Sequence, residues 1–523
     1  MHRPHPTESD VAAELAVVRQ DLEPRYAAQL PGARAAVLTR LWRALAHEPL
    51  PWIGDRSPGR DGLTVRLRDG RLLEGPVADP YATAAYVRAV RLDGVPHDHP
   101  ARLVTELGMP HGTEFAAELA HSVASLALSR AGQGADDDDQ EAGGDSEPDG
   151  RREPGGRPSG GDPWPVADWE WEQRVVDGHP YHPNCRSRPG FSVAEQLAYG
   201  PEHRPLVELA LVPVPAAECL MSGVWPEELL DGGRLLLPVH PWQAAHVLKR
   251  AGEHGLVAHP LMSLRTLAVP GGPHVKTALS ARLTSSVRDI SGYSIGVSAV
   301  LSEFAESLAA RSEGLLHMTR TLGAATANSP DLAAVLRESP QVYADSARGE
   351  RVVPVAALAT TRLTASPGWL ADFARLAVTV GLRLLEQGVA LEAHGQNLLV
   401  VLSADGAPLR LVYRDLADIR VSPARLRRHG IPVPELSGRV VTDDETTLRR
   451  KLFGSLVAGA LAATAGSAPA LRDALAAAVR DLPRTPDLTA LLEEELPTKA
   501  LTLMRLSPGT SGDQWTALPN PLR

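Results

Sequence analysis

The stretch LEAHGQNLLVVLSADGAPLRLVYRD, residues 391–415, decides the fold class. Two apolar runs, Asn397–Ser403 and Pro408–Arg414, flank Ala404-Asp405-Gly406. That arrangement predicts a β-hairpin, because Asp-Gly supplies the backbone freedom a tight turn needs. Upstream, Trp369–Gln387 has the apolar spacing of one long helix, and helical spacing resumes after the hairpin. Further upstream, Leu206–Val212, Arg234–Val239, Arg265–Val269 and Val275–Leu283 read as strands, and Val297–Ala310 as a helix. Near the start, Asp10–Asp21, Ala33–Ala46 and Glu114–Ser129 read as helices. The class is therefore α+β: an α-rich region over 1–131, a β-rich region over 164–365 and a mainly helical region over 366–523 that carries the hairpin. Residues 132–163 stand apart, with nine Gly, four Pro, ten acidic residues and three Arg. So polar a stretch cannot bury enough surface to offset its ordering entropy, and it is expected to be a disordered insertion.

The chain has 523 residues, room for two to four domains, and 43% apolar residues, enough for sizeable cores. Its formal charge is −10, of which the insertion carries −7, so a fold-wide basic surface for nucleic acid is excluded. Basic residues are almost all arginine: the lysines are Lys249, Lys276, Lys451 and Lys499. Two cysteines, Cys185 and Cys219, form no disulfide framework and fit a reducing cytoplasm. The first residues have no apolar core of a signal peptide, and a cytoplasmic protein is expected. Phe453–Leu471 is the most membrane-like stretch, but Ala, Gly, Ser and Pro dominate it, which predicts a small-residue core helix and no membrane contact.

Three polar clusters carry the chemistry. In Gly178-His-Pro-Tyr-His-Pro-Asn-Cys-Arg-Ser-Arg-Pro-Gly-Phe191, the prolines keep His179 and His182 out of helical conformation. With Arg186 and Arg188 nearby, this loop suits a polyphosphate, and Ser192 is placed to cap the helix that follows. Zinc on His179, His182 and Cys185 is the competing reading; it lacks a fourth ligand and sits beside arginines. The second cluster is Ser263, Arg265, Lys276, then Thr284-Ser-Ser-Val-Arg288. On a strand Ser263 and Arg265 share a face, and Lys276 and Arg288 follow on the next strand and turn. The third is Glu392, His394, Gln396 and Asn397, with Asp415 returned beside Asn397 by the hairpin. An Asn oxygen with the carboxylates of Asp415 and Glu392 offers the hard oxygen ligands that Mg²⁺ takes with phosphate, and Asp418 lies close to them. No Gly-x₄-Gly-Lys phosphate loop is present, so side chains must hold any nucleotide.

Together these clusters resemble the IucA/IucC family, the synthetases that build siderophores without nonribosomal peptide synthetases. Residues 178–191 match Gly-His-Pro-x-His-Pro-x-x-Lys-x-Arg-x-Gly-Phe except at Arg186, where the pattern has lysine. Leu237-Pro-Val-His-Pro-Trp-Gln243, Ser263-x-Arg265-Thr266, and Glu392-x-His-x-Gln-Asn397 with Arg414-Asp415 are similar as well. The likeness spans about residues 165–450, with an echo in Lys499–Arg505 and Asn520-Pro-Leu522. It implies a cupped-hand, three-part enzyme that uses ATP and Mg²⁺. Such an enzyme adenylates a carboxylic acid such as citrate, then condenses it with an amine or hydroxyl, releasing AMP and pyrophosphate; dimers are frequent in the family. By that resemblance His182, Arg265, Lys276, Arg288 and His394 serve catalysis. His179, Arg186, Ser263, Gln396 and Asn397 bind nucleotide, and Glu392, Asn397 and Asp415 hold the metal. Two alternatives remain at this point: a kinase-like phosphotransferase, which would need a base where Gln396 stands, and a non-catalytic paralogue that binds a carboxylate.

Overall fold

The computed structural model describes residues 6–59, 62–134, 164–250, 255–283, 286–510 and 512–523. The hairpin is present: Leu398–Leu402 pairs antiparallel with Pro408–Tyr413, Leu398 opposite Tyr413. It does not stand alone. Leu316–Met318 runs parallel to its second strand and Arg351–Pro354 antiparallel to its first, giving a four-stranded sheet. Helix Pro367–Gln387 covers this sheet, opened by the Ser366 side chain, which accepts from Trp369 N. It stops at Gly388, whose φ of 109° favours glycine and where a Cβ would lie 2.8 Å from the Cβ of Arg425. Phe373, Leu384, Val400, Tyr413 and Leu456 form the largest core, and Tyr81 and Trp171 reach into it from earlier in the chain.

The β-rich region is built on a seven-stranded antiparallel sheet. Its central strands are Thr266–Ala268, His274–Thr277 and Ala333–Arg337. Leu267, Val275 and Leu336 are cross-strand neighbours and pack into a core with Val214 and Leu237 of a smaller sheet. Side chains alternate across a sheet, so Thr266, His274, Lys276 and Arg337 are turned to the other face. The strand expected over Val275–Leu283 is two: His274–Thr277 belongs to the large sheet, while Leu279–Leu283 pairs with Ser286–Arg288.

The N-terminal helices are Glu8–Val18, Glu23–His47, Pro100–Leu107 and Gly112–Ala131. Between the second and third lies a five-stranded antiparallel sheet, Ile53 to His97, which the sequence reading missed. Its strands are three to seven residues long and interrupted by Arg, Asp and Gly, too short for a clear alternation. The signal was in the turn: Asp93 and Gly94, at φ 48° and 81°, make a hairpin turn between Val90–Leu92 and Val95–His97. Gly132–Gly134 form one turn of 3-10 helix, and the rest of the acidic insertion lies outside the described residues.

Phe453–Leu461 continues as a π-helix from Glu445–Leu452, is largely buried, and leads through Ala462–Ala465 to a break at Gly466. Among the described residues no single helix is long and apolar enough to cross a membrane; only two helices bent by 119° meet those criteria together. The C-terminal region is not helical to its end, because Leu496–Lys499 pairs with Trp515–Leu518.

Candidate active site

One cleft of about 190 Å³ collects most of the residues singled out above. Arg186, Ser263, Arg265, Lys276, Arg288, Glu392, His394, Gln396, Asn397 and Asp415 border it. His179 and His182 do not; His182 is packed behind the wall, only 2% exposed, while His179 is exposed.

Lys276 and Asp415 form its centre. The Lys276 Nζ lies 2.6 and 2.8 Å from the two Asp415 oxygens. Burial pushes this ammonium down to about 8 against the pull of Asp415. The Asp415 carboxyl is pushed up by burial but held far below the usual range by Lys276, Arg337 and Arg265. Asp415 follows directly on the hairpin, where Arg414 N donates to Asn397 O at 3.0 Å. Its φ of 72° is uncommon for a non-glycine residue, a backbone strain of about 1 kcal/mol or more that the surroundings must sustain.

Ser263 and Arg265 reach the cleft by a turn and not by strand alternation, since their strand begins only at Thr266. Leu264 between them has φ 66°, and the Ser263 hydroxyl accepts from Thr266 N at 3.1 Å. The Arg265 guanidinium donates to the carbonyls of Arg288 (2.7 Å) and Asp289 (2.8 Å), which ties the turn to the neighbouring hairpin. Burial lowers it to about 10, so it is charged at neutral pH. Thr284 and Ser285 lie outside the described residues.

Both histidines of the Gly178–Phe191 loop are neutral donors. The His179 Nδ1 accepts from Tyr181 N and His182 N, and the His182 Nδ1 accepts from Asn184 N. Burial pushes His182 down to about 3, with Arg288 adding to the effect, and His179 falls well below 6.5 for the same reason. Neither brings positive charge to an anion; the His182 Nε2 is buried without a hydrogen-bond partner and offers one N–H. The zinc reading fails on the same geometry, because Cys185 Sγ faces the Arg40 guanidinium at 3.1 Å. Arg186 borders the cleft, but its guanidinium is committed elsewhere: to the carbonyls of Val175 and Val176 and, at 3.4 Å, to buried Glu202. Its departure from lysine therefore falls on a residue that braces the loop.

Glu392 is paired with two lysines. Its Oε1 lies 3.1 Å from both Lys451 and Lys499. Burial pushes its carboxyl up, but Lys499 and Lys451 outweigh this and hold it at about 2. Among the described residues no group of three His, Cys, Asp or Glu side chains is placed to hold a metal. Asn397 donates through Nδ2 to Glu392 O at 3.3 Å, a bond that leaves its Oδ1 unused. His394 is kept neutral by burial, its Nδ1 accepting from Gln396 N.

Sequence reasoning missed Arg337, Glu172 and the two lysines on Glu392. Arg337 ends an ordinary apolar strand, and Glu172 lies in no motif. For Lys451 and Lys499 a signal existed, since lysine is so rare in this chain. Glu172 pairs with Arg414 at 2.6 Å and accepts from Met262 N at 3.0 Å, while Arg414 also donates to Gln396 O. One buried carboxylate thus joins the hairpin wall to the Ser263–Arg265 wall.

Residues 168–360 match the model of the IucA / IucC family. Over that region the chain is similar to the family. Residues 368–513 match a second model, described as ferric iron reductase FhuF-like transporter. Among curated relatives of this chain is the citryl-spermidine/3,4-dihydroxybenzoyl-citryl-spermidine:spermidine ligase of Bacillus anthracis. It is 23% identical over 47% of this chain and 50% of its own length. The D-ornithine–citrate ligase of Staphylococcus aureus is 21% identical over 55% of each. The chain spans about half the length of the curated relatives it matches. Among solved structures, the petrobactin biosynthesis protein AsbB of Bacillus anthracis superposes with a TM-score of 0.72 at 18% identity, covering 96% of this chain and 98% of that one. ATP-bound aerobactin synthetase IucA of Klebsiella pneumoniae gives 0.70 at 19%, covering 94% and 99%. These likenesses agree with the α+β class.

Proposed function

We propose that this chain is an ATP-dependent siderophore synthetase that adenylates a carboxylic acid, citrate or a related dicarboxylate, and passes the acyl group to an amine or hydroxyl. The observation that carries the reading is the convergence of Arg265, Lys276 and Arg288 on one cleft whose central anion is Asp415. The relatives named as citrate ligases and an ATP-bound structural neighbour support it.

A substrate carboxylate oxygen attacks the α-phosphorus of ATP; the bond to the β-phosphate oxygen breaks, and pyrophosphate leaves with the electron pair. Arg265, Lys276 and Arg288 are placed to stabilise the charge that builds on that leaving group, in a cleft where water competes weakly. Ser263 adds a neutral hydrogen-bonding group near the same phosphates. The amine or hydroxyl then attacks the acyl carbon, AMP departs, and the nucleophile's proton is released. His394 and Gln396 border the cleft beside the hairpin and would orient the acyl-adenylate. Asp415 and Asn397 fit a magnesium site of the usual kind, one carboxylate and one amide oxygen completed by phosphate, and would hold Mg²⁺. When bound, it polarises phosphate oxygens. The three-part, cupped-hand arrangement, a homodimer and a cytoplasmic location belong to the same proposal.

The test is ATP–pyrophosphate exchange with citrate, 2-oxoglutarate, succinate and citryl or succinyl monoamides. Exchange dependent on one of these acids, and its loss in Lys276→Ala or Arg265→Ala with the fold retained, is the expected result. ADP in place of AMP and pyrophosphate would establish a phosphotransferase instead. Nucleotide binding without exchange would establish a non-catalytic binder.

A further inference from the structure

We propose that Arg337 is a further substrate-contacting residue, donating to an oxygen of the polyphosphate beside Lys276. The inference rests on the adenylation reading. Arg337 closes strand Ala333–Arg337 directly opposite His274, and Lys276, two residues along that neighbouring strand, lies opposite Val335. Residues opposite one another in an antiparallel pair share a face, so Arg337 and Lys276 rise from adjacent strands on the cleft side of the sheet. His274, the cross-strand neighbour, is engaged elsewhere, its Nε2 2.8 Å from the Oδ2 of buried Asp168.

Arg337 is 7% exposed and borders the cleft. Its Nη1 is buried without a hydrogen-bond partner. The Asp415 Oδ2 lies 3.9 Å away, beyond hydrogen-bond reach, and both Asp415 oxygens are already taken by Lys276. A guanidinium N–H left buried and unsatisfied is costly, and a ligand oxygen at this point would remove that cost. Arg414, also deeply buried on this side, has its Nη1 2.6 Å from the Glu172 carboxylate and donates through Nε and Nη2 to Gln396 O. The Arg337 Nη1, whose paired carboxylate stands at 3.9 Å where those of Arg414 and Arg188 stand at 2.6 and 2.8 Å, thus has a donor to spare. Asp415 presents to Lys276 and Arg337 the same pair of anionic oxygens that a phosphate would.

The experiment titrates the wild-type chain, Arg337→Gln and Arg337→Lys with inorganic pyrophosphate and with ATP by calorimetry, and measures exchange on the same preparations. A contact of this kind predicts pyrophosphate affinity at least ~10-fold weaker in Arg337→Gln, with only part of the loss recovered by lysine, which keeps the charge but not the forked donors. Exchange should fall through kcat more than through the KM for ATP. Wild-type pyrophosphate affinity in folded Arg337→Gln overturns the assignment. Should that variant not fold, Arg337→Lys decides: weakened affinity supports the contact and unchanged affinity overturns it. A wild-type chain that binds pyrophosphate but exchanges with no acid would overturn the adenylation reading while the affinities still judge Arg337.

Discussion

Three of the four lysines meet carboxylates at the cleft: Lys276 on Asp415, and Lys451 and Lys499 on Glu392. Lys249 is exposed on a turn elsewhere. In a chain that otherwise uses arginine, this points to sites where a compact ammonium matters and a planar fork does not fit. Lys276 touches both oxygens of one carboxylate, a geometry the larger guanidinium cannot copy without displacing Asp415. Lys276→Arg is therefore expected to lower carboxylate-dependent exchange at least ~10-fold, whereas Lys249→Arg leaves it unchanged. Equal exchange rates in the two variants would show that charge alone suffices at Lys276. The rarity of lysine was legible in the sequence; which carboxylate each one meets was not, because these partners lie 59 to 139 positions away.

At the scale of elements, the hairpin and the long helix were legible because each has a strong local pattern. Leu398–Leu402 and Pro408–Tyr413 are apolar runs around a turn pair, and Pro367–Gln387 is a capped amphipathic helix. The five short N-terminal strands were not, since three residues cannot show a period. The turn at Leu264 was also hidden: a positive φ at leucine is imposed by the tertiary fold and opposes the residue's own preference. The two cleft walls are joined through Glu172, which binds Arg414 on one side and Met262 N on the other. Replacing it by glutamine leaves the Arg414 guanidinium buried without its counter-charge. Glu172→Gln should then cost about 3 kcal/mol in urea unfolding and weaken ATP binding, since the walls lose their shared anchor. Normal ATP affinity in a destabilised variant would confine Glu172 to stability.

Across the whole molecule, the last segment returns to the first. Glu48, at the end of helix Glu23–His47, accepts from Thr502 N and Leu503 N, and the Arg505 guanidinium pairs with Glu118, which also accepts from the Asn184 amide. The Tyr81 hydroxyl donates to Pro519 O. These contacts hold Lys499 against Glu392 at the cleft. Burial pushes the Glu48 carboxyl up to about 6, against the Leu503 and Thr502 amides. With a folded value above the unfolded one of 4.5, this group's contribution to stability is fully present below pH 4.5 and is lost as pH rises through about 6. Glutamine offers one acceptor oxygen in place of two, a loss of about 1 kcal/mol, and has no such titration. Urea midpoints should separate wild type from Glu48→Gln most at pH 4.5 and least above pH 7; a constant gap would show that Glu48 does not titrate in this window.

By itself the sequence determined the α+β class, the hairpin that carries Asn397 and Asp415, the resemblance to the family, and most of the residues around the cleft. Each of these rests on local pattern or on motif order, which need no tertiary contact to be read. Only the tertiary structure decided how those residues are used. Burial made His182 neutral, Glu202 and two carbonyls took up Arg186, and two distant lysines met Glu392. It also turned Arg337 toward Lys276. In each case the cause is a partner or a loss of water that exists only once remote segments meet.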